Sequence, residues 1–312
     1  MIRSFYQLPL YARLLAGIVI SIICAVGIQF FFGHIFAALH NLGYDEYTRR
    51  LIEASQLLHN KNYIREALLL QSIVVFLVPA VVLLYSYSSR PFQLIARLPR
   101  KYAYFTVYFV LLMIVFIPGI NALSFFNEKI VSAFLSSESV FTKLYEQNEK
   151  VYAFLMSDTD GKDFFVQLVL MAVIPAVVEE FFFRGMLQTY CVQVFKNPYR
   201  AVLFVALLFS VLHFDVYNFI PRVVLGVLYG LVFLWTGSVW IPIIAHFVNN
   251  ALVVTGNFLI THDNIHTEFM KQLFSYNNTS YHTVTLVIGV LTIGIVWYGM
   301  NILYKKNVVS KT

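Results

Sequence analysis

A chain of 312 residues in which 59% are hydrophobic and only 12% charged is not an ordinary soluble domain; soluble domains carry roughly twice that share of charge. Its net charge of +6 does not point to nucleic acid, because the basic residues flank apolar runs and do not cluster on a polar surface. The composition predicts an all-α polytopic bundle with the lipid bilayer as its partner: one membrane domain over residues 1–312, with no nucleic-acid partner.

Apolar runs of about 20 residues cross about 30 Å of hydrocarbon as helices. In chain order the runs predict about eight spans, at 10–32, 67–87, 101–123, 164–190, 200–214, 221–235, 238–258 and 282–304. The first follows Arg3 and lacks a small-residue cleavage site, so it reads as a retained span. Between the first two spans, residues 33–66 carry Tyr44, Tyr47, Leu51, Ala54 and Leu58 at helical spacing, which predicts an amphipathic segment outside the membrane. Residues 124–163 read as an acidic outer loop with some helix. It ends in Ser157-Asp158-Thr159-Asp160-Gly161, a solvated turn that lacks the later ligands of a calcium loop. Cys24 and Cys191 read as small buried hydrophobes.

Charge asymmetry sets the orientation. With the N-terminus inside, the inner segments hold Arg3, Arg13, Arg90, Arg97, Arg100, Lys101, Lys196, Arg200, Lys305, Lys306 and Lys311, with no acid. The expectation is a plasma (inner) membrane protein with both termini cytoplasmic. Arg222, near an outer end, does not fit this pattern.

Six polar residues stand out within the apolar runs, where charge is costly and marks function by default. Glu179, Glu180 and Arg184 fall in the fourth span, His213 ends the fifth, and His246 and Asn250 lie four apart in the seventh. At about 1.5 Å rise per residue, Glu179 is roughly 25 Å from Lys196, and His213 roughly 20 Å from Arg200. His246 and Asn250 lie roughly 12 and 18 Å past Ser238, an overlapping depth. Glu180 and Arg184 form an i, i+4 pair with the acid first, so a bidentate contact between them is expected, with Glu179 aimed elsewhere. Pro175, one turn earlier, is expected to kink the span beside Glu179. Gly226-Val227-Leu228-Tyr229-Gly230 reads as a close helix-packing motif.

These residues resemble the three motifs of the CPBP family, the CAAX-protease and bacteriocin-processing membrane proteins, also called Abi, which include Rce1-type endopeptidases. The motifs are Glu179-Glu180-x-x-x-Arg184, Phe209-x-x-x-His213 and His246-x-x-x-Asn250. The resemblance covers roughly 164–258, which it marks as a catalytic helix core. It implies an intramembrane endopeptidase that cleaves near the C-terminus of a protein or peptide, prenylated or not. Glu179 would activate water with help from His213, and His246 and Asn250 would form the oxyanion hole. Glu180, Arg184 and Phe209 would support the site. The cavity this chemistry needs is expected to open toward the cytoplasm. No metal or other cofactor is expected on this reading. Two alternatives stand beside it. One is a zinc protease with Glu179, His213 and His246 as ligands, although no HExxH helix is present. The other is a bacteriocin-immunity or peptide-binding membrane protein without catalysis.

Overall fold

The computed structural model describes residues 7–87, 103–157, 160–261 and 282–292, with Gly294 and Tyr298. The described elements are helical throughout. Helix α1 is Leu10–Leu39 and α2 is Tyr44–Leu57. Helix α3 joins Lys61–Gln71, a π-helical stretch Ser72–Leu77 and Val78–Tyr87. Helix α4 is Ala103–Phe134, and α5 is Val140–Leu155. Helix α6 covers Gly161–Phe195, α7 is Pro198–Val211, α8 is Phe219–Thr236 and α9 is Trp240–Thr261. A short apolar helix, α10, follows at His282–Thr292.

Six of these helices are long and apolar enough to cross a bilayer: α1, α3, α4, α6, α8 and α9. Helices α7 and α10 are apolar but shorter, and they stand where the fifth and eighth spans are predicted. The chain is an integral multi-pass membrane protein. The rest of the eighth predicted span and the 88–102 connection lie outside the described residues.

Two boundaries differ from expectation, each for a local reason. Helix α1 runs on to Leu39, past the predicted end at 32. There His34 bonds the Phe30 carbonyl at 2.8 Å and stacks on Tyr44 at 4.5 Å. Helix α4 runs on to Phe134, so the segment taken as the start of an outer loop is helix. Its Asn127 is buried and bonded to the far side of the bundle (below). Helix α2 buries the apolar face the spacing predicts, with Tyr47 and Ala54 inside a cluster that includes Tyr63, Leu155, Met171 and Val254. The two amphipathic segments thus pack on one end of the bundle and do not float free.

Helices α7 and α8 cross closely. A Cβ on Gly226 would meet Ala206 Cα at 3.0 Å, and one on Gly230 would meet Val202 Cγ1 at 3.0 Å. The glycine pair is the packing motif the sequence predicts, and it also brings α6 in. Arg184 Nη2 donates to the Gly226 carbonyl at 3.0 Å and Gln188 Nε2 to the Gly230 carbonyl at 2.8 Å. Residues 184 and 188 on α6 are therefore in register with 226 and 230 on α8.

Candidate active site

Helix α6 is not a uniform α-helix. The stretch Ile174–Glu180 is α-helical, with π-helical turns at Val169–Val173 before it and Phe181–Gln188 after it. Widened turns of this kind sit disproportionately at functional sites. Pro175, which cannot donate to the helix ladder, opens the middle stretch directly after the first of them. In the second, the Thr189 hydroxyl donates to the Gly185 carbonyl at 3.1 Å.

Glu180 and Arg184 are both fully buried, and Arg184 Nη1 donates to Glu180 Oε1 at 2.9 Å. The contact is single, not the bidentate pairing expected, because Nη2 is turned to the Gly226 carbonyl. The guanidinium is also ringed by aromatic faces, with Phe209 at 5.0 Å and Tyr229 at 5.5 Å. Phe209, the motif's aromatic, therefore packs against the ion pair. It also meets Phe183 edge-on at 5.0 Å.

His246 belongs to the same network. Its Nδ1 lies 2.9 Å from Glu180 Oε1, the oxygen that accepts from Arg184. That oxygen accepts here as well, so Nδ1 carries the proton and donates. The ring stacks on Tyr229 at 5.3 Å and 20°. Asn250, one turn further along α9, is half-buried and accepts from Asn249 through Oδ1 at 3.3 Å, which leaves its amide N–H groups as donors.

Glu179 points the other way, as the 100° step between neighbours requires. It is 7% exposed, and its Oε2 has no hydrogen-bond partner among the protein atoms. His213 Nε2 lies 3.7 Å from this oxygen. His213 Nδ1 is 2.6 Å from the Phe209 carbonyl, which only accepts, so Nδ1 holds the proton and Nε2 presents a lone pair to Glu179. The structure thus brings Glu179 to His213, and Glu180 to Arg184 and His246.

Three residues that hold this arrangement carried no signal as candidates. Helix α7 ends at Val211, and Phe214 takes a left-handed backbone (φ 52°) that turns the chain directly after His213. Asp215 then caps the next turn, accepting from Tyr217 N at 3.0 Å and Asn218 N at 3.2 Å. Arg222 donates to Asp215 at 2.9 Å, which explains a cation that did not fit the charge pattern. Asn127 closes the turn from α4. It donates to the carbonyls of Val216 and Tyr217 at 2.8 and 2.6 Å and accepts from Ile220 N at 3.1 Å. A lone Asn in the run Leu123-Ser124-Phe125-Phe126-Asn127 was the available clue, since a buried amide needs partners.

The zinc alternative needs three ligands around one ion. Among the described residues, no three His, Cys, Asp or Glu side chains are grouped to hold a metal. Glu179, His213 and His246 do not form such a set as they stand.

A polytopic helical bundle agrees with the comparisons. Residues 161–252 match the Rce1-like family, described as type II CAAX prenyl endopeptidase Rce1-like. The matched stretch contains Glu179, His213, His246 and Asn250. The chain is also 30% identical over 89 residues to YpbD of Bacillus subtilis strain 168, itself described as uncharacterized. The match covers 27% of this chain and 42% of the relative. No solved structure matches.

Proposed function

We propose that this protein is an intramembrane endopeptidase that uses Glu179 as the base for a hydrolytic water. The carrying observation is the gap between Glu179 Oε2 and His213 Nε2. At 3.7 Å it is too long for a direct hydrogen bond and suits a bridging water. Both facing atoms accept, so such a water donates one proton to each and turns an oxygen lone pair outward. As that oxygen attacks the peptide carbonyl carbon, Glu179 takes the proton. The proton then passes to the leaving nitrogen as the C–N bond breaks. The products are a carboxylic acid and an amine, and the carboxylate is regenerated.

The oxyanion of the tetrahedral intermediate needs donors that are already in place. Asn250 supplies amide N–H groups. His246 spends its Nδ1 proton on Glu180, so its Nε2 donates only as the imidazolium. Asn250 is therefore the firmer of the two donors. Arg184 and Glu180 act through His246 and do not touch the substrate: they fix its ring plane from behind, while Tyr229 fixes it from the face.

The substrate on this reading is a peptide or protein segment in or at the bilayer. The Rce1-like match favours a C-terminal segment, and no feature of the site reads a prenyl group. A direct test gives the purified protein the same peptide with and without a prenylated cysteine, each with and without a chelator. Cleavage that survives the chelator supports glutamate catalysis. Loss with chelator and recovery with zinc would favour the metal alternative. Binding of both peptides with cleavage of neither would favour the immunity or peptide-binding reading.

A further inference from the structure

Residues 161–252 carry Glu179, His213, His246 and Asn250, but part of the scaffold around them comes from outside that stretch. Helix α4 supplies Asn127, whose side chain is buried. Its Nδ2 donates to the Val216 and Tyr217 carbonyls, and its Oδ1 accepts from Ile220 N. Both ends of the amide are thereby occupied, so the network itself settles which way the amide faces. All three partners are backbone groups of the turn and helix start that follow His213.

That turn is strained where it leaves His213. Phe214 adopts a left-handed backbone (φ 52°), an outlier for a bulky side chain. Such a conformation persists only where the surroundings over-determine it. The Phe214 side chain is 63% exposed and does not do so. Bonds within the turn give it its shape: Asp215 caps Tyr217 N and Asn218 N, and the Ser210 hydroxyl donates to the Phe219 carbonyl at 2.9 Å. These groups sit on α7, on the turn or on α8, so they do not fix the turn against the rest of the bundle. Contacts from two other helices do. From α5, the Thr142 and Tyr217 hydroxyls meet at 2.9 Å, and Tyr145 stacks on Tyr217 at 4.4 Å and 16°. Those contacts hold one side chain. Asn127 holds the backbone itself, at both carbonyls and at the Ile220 amide.

Helix α4 also backs the other half of the site. Phe109, Met113 and Phe116 share a buried cluster with Tyr229, Ile241 and Ala245. Tyr229 stacks on His246, and Ala245 directly precedes it. Asn127 lies roughly 16 Å beyond Phe116 along the same helix, at about 1.5 Å rise per residue. One continuous helix thus supports the His246 side at one level and pins the His213 turn at another. We infer that Asn127 is a positioning residue: it holds the turn where His213 Nε2 faces Glu179 across the 3.7 Å gap, and it acts through His213 without touching the substrate. Its effect on rate rests on the hydrolytic reading. The consequence is that the stretch 161–252 does not order its own reacting groups; α4 is part of the machinery.

The test is a double-mutant cycle on the full chain in proteoliposomes. Asn127→Leu keeps the side chain's bulk and removes all three bonds. Asn127→Asp keeps the acceptor for Ile220 N but turns an oxygen toward two carbonyls; it serves where the leucine variant does not accumulate. Either is expected to lower kcat by about 10²-fold, the cost of a small misplacement, with KM little changed. Added to His213→Ala, the same substitution should leave the remaining rate as it is, because the group it positions is gone. An equal loss in both backgrounds, or no loss in either, would overturn the inference. A readout without turnover separates it from the hydrolytic reading: NMR of isotope-labelled histidine side chains in nanodiscs. The His213 ring signals, assigned by their loss in His213→Ala, should move in the Asn127 variant while those of His246 stay. Unchanged His213 signals, or equal shifts of both rings, would overturn the inference whether or not any peptide is cleaved. Movement of His213 alone, in a protein whose wild type cleaves nothing, would support the positioning role and overturn only the hydrolytic reading.

Discussion

His213 Nδ1 donates to the Phe209 carbonyl at 2.6 Å, and this one bond makes Nε2 the atom that faces Glu179 across 3.7 Å. The carbonyl belongs to the last turns of α7, so the helix end itself fixes the tautomer. His213→Ala should therefore lower kcat by about 10²–10⁴-fold, the usual contribution of a positioned proton-transfer group. Its side chain is a quarter exposed, so the unfolding midpoint in detergent should move little. Rate measurements beside a thermal melt check both halves; a large melt shift with a proportionate activity loss would make His213 a structural residue.

The Glu180–Arg184 pair should behave in the opposite way. Both side chains are fully buried, and removing one strands the other. Breaking such a pair costs about 3–5 kcal/mol. Glu180→Ala and Arg184→Ala should both lower the unfolding midpoint and accumulation. Arg184→Lys should not rescue, because a lysine ammonium does not reproduce the planar fork that reaches both Glu180 and the Gly226 carbonyl. Full stability in Arg184→Lys would show that charge alone is needed there.

Gly226 joins packing to chemistry. A methyl group at this position would sit 3.0 Å from the backbone of Ala206, and backbone does not give way as a flexible side chain does. Gly226→Ala should cost about 1–3 kcal/mol, the usual range for overpacking. It should also weaken the Arg184–Gly226 bond and with it the support of His246. Gly43→Ala, where the added carbon meets nothing within 4 Å, is the matched control and should leave stability nearly unchanged.

What was legible in the sequence is what depends on chemistry placed where it is expensive. Glutamates, an arginine and histidines inside apolar runs announce themselves, and helical spacing shows that Glu180 and Arg184 share a face while Glu179 does not. Cross-helix choices were not legible. Nothing in the spacing says that His246 turns Nδ1 to Glu180, or that Arg184 divides its two Nη groups between Glu180 and a glycine carbonyl. The π-helical turns were equally hidden, since they arise from packing and a proline, not from a periodic pattern. Asp215, Arg222 and Asn127 were missed because each looked like a boundary residue. Their partners are a turn's backbone and one another, and only the folded turn brings these together. Helix α5 was visible as a partly helical acidic loop, but its contact with Tyr217 was not.

The central claim is that Glu179 activates the attacking water. The most direct measurement compares single-turnover cleavage of one peptide by wild type and Glu179→Gln in proteoliposomes, a change that keeps the side chain's size and removes its basicity. The account predicts a fall of at least about 10²-fold with an unchanged unfolding midpoint. Cleavage by Glu179→Gln at the wild-type rate would contradict it.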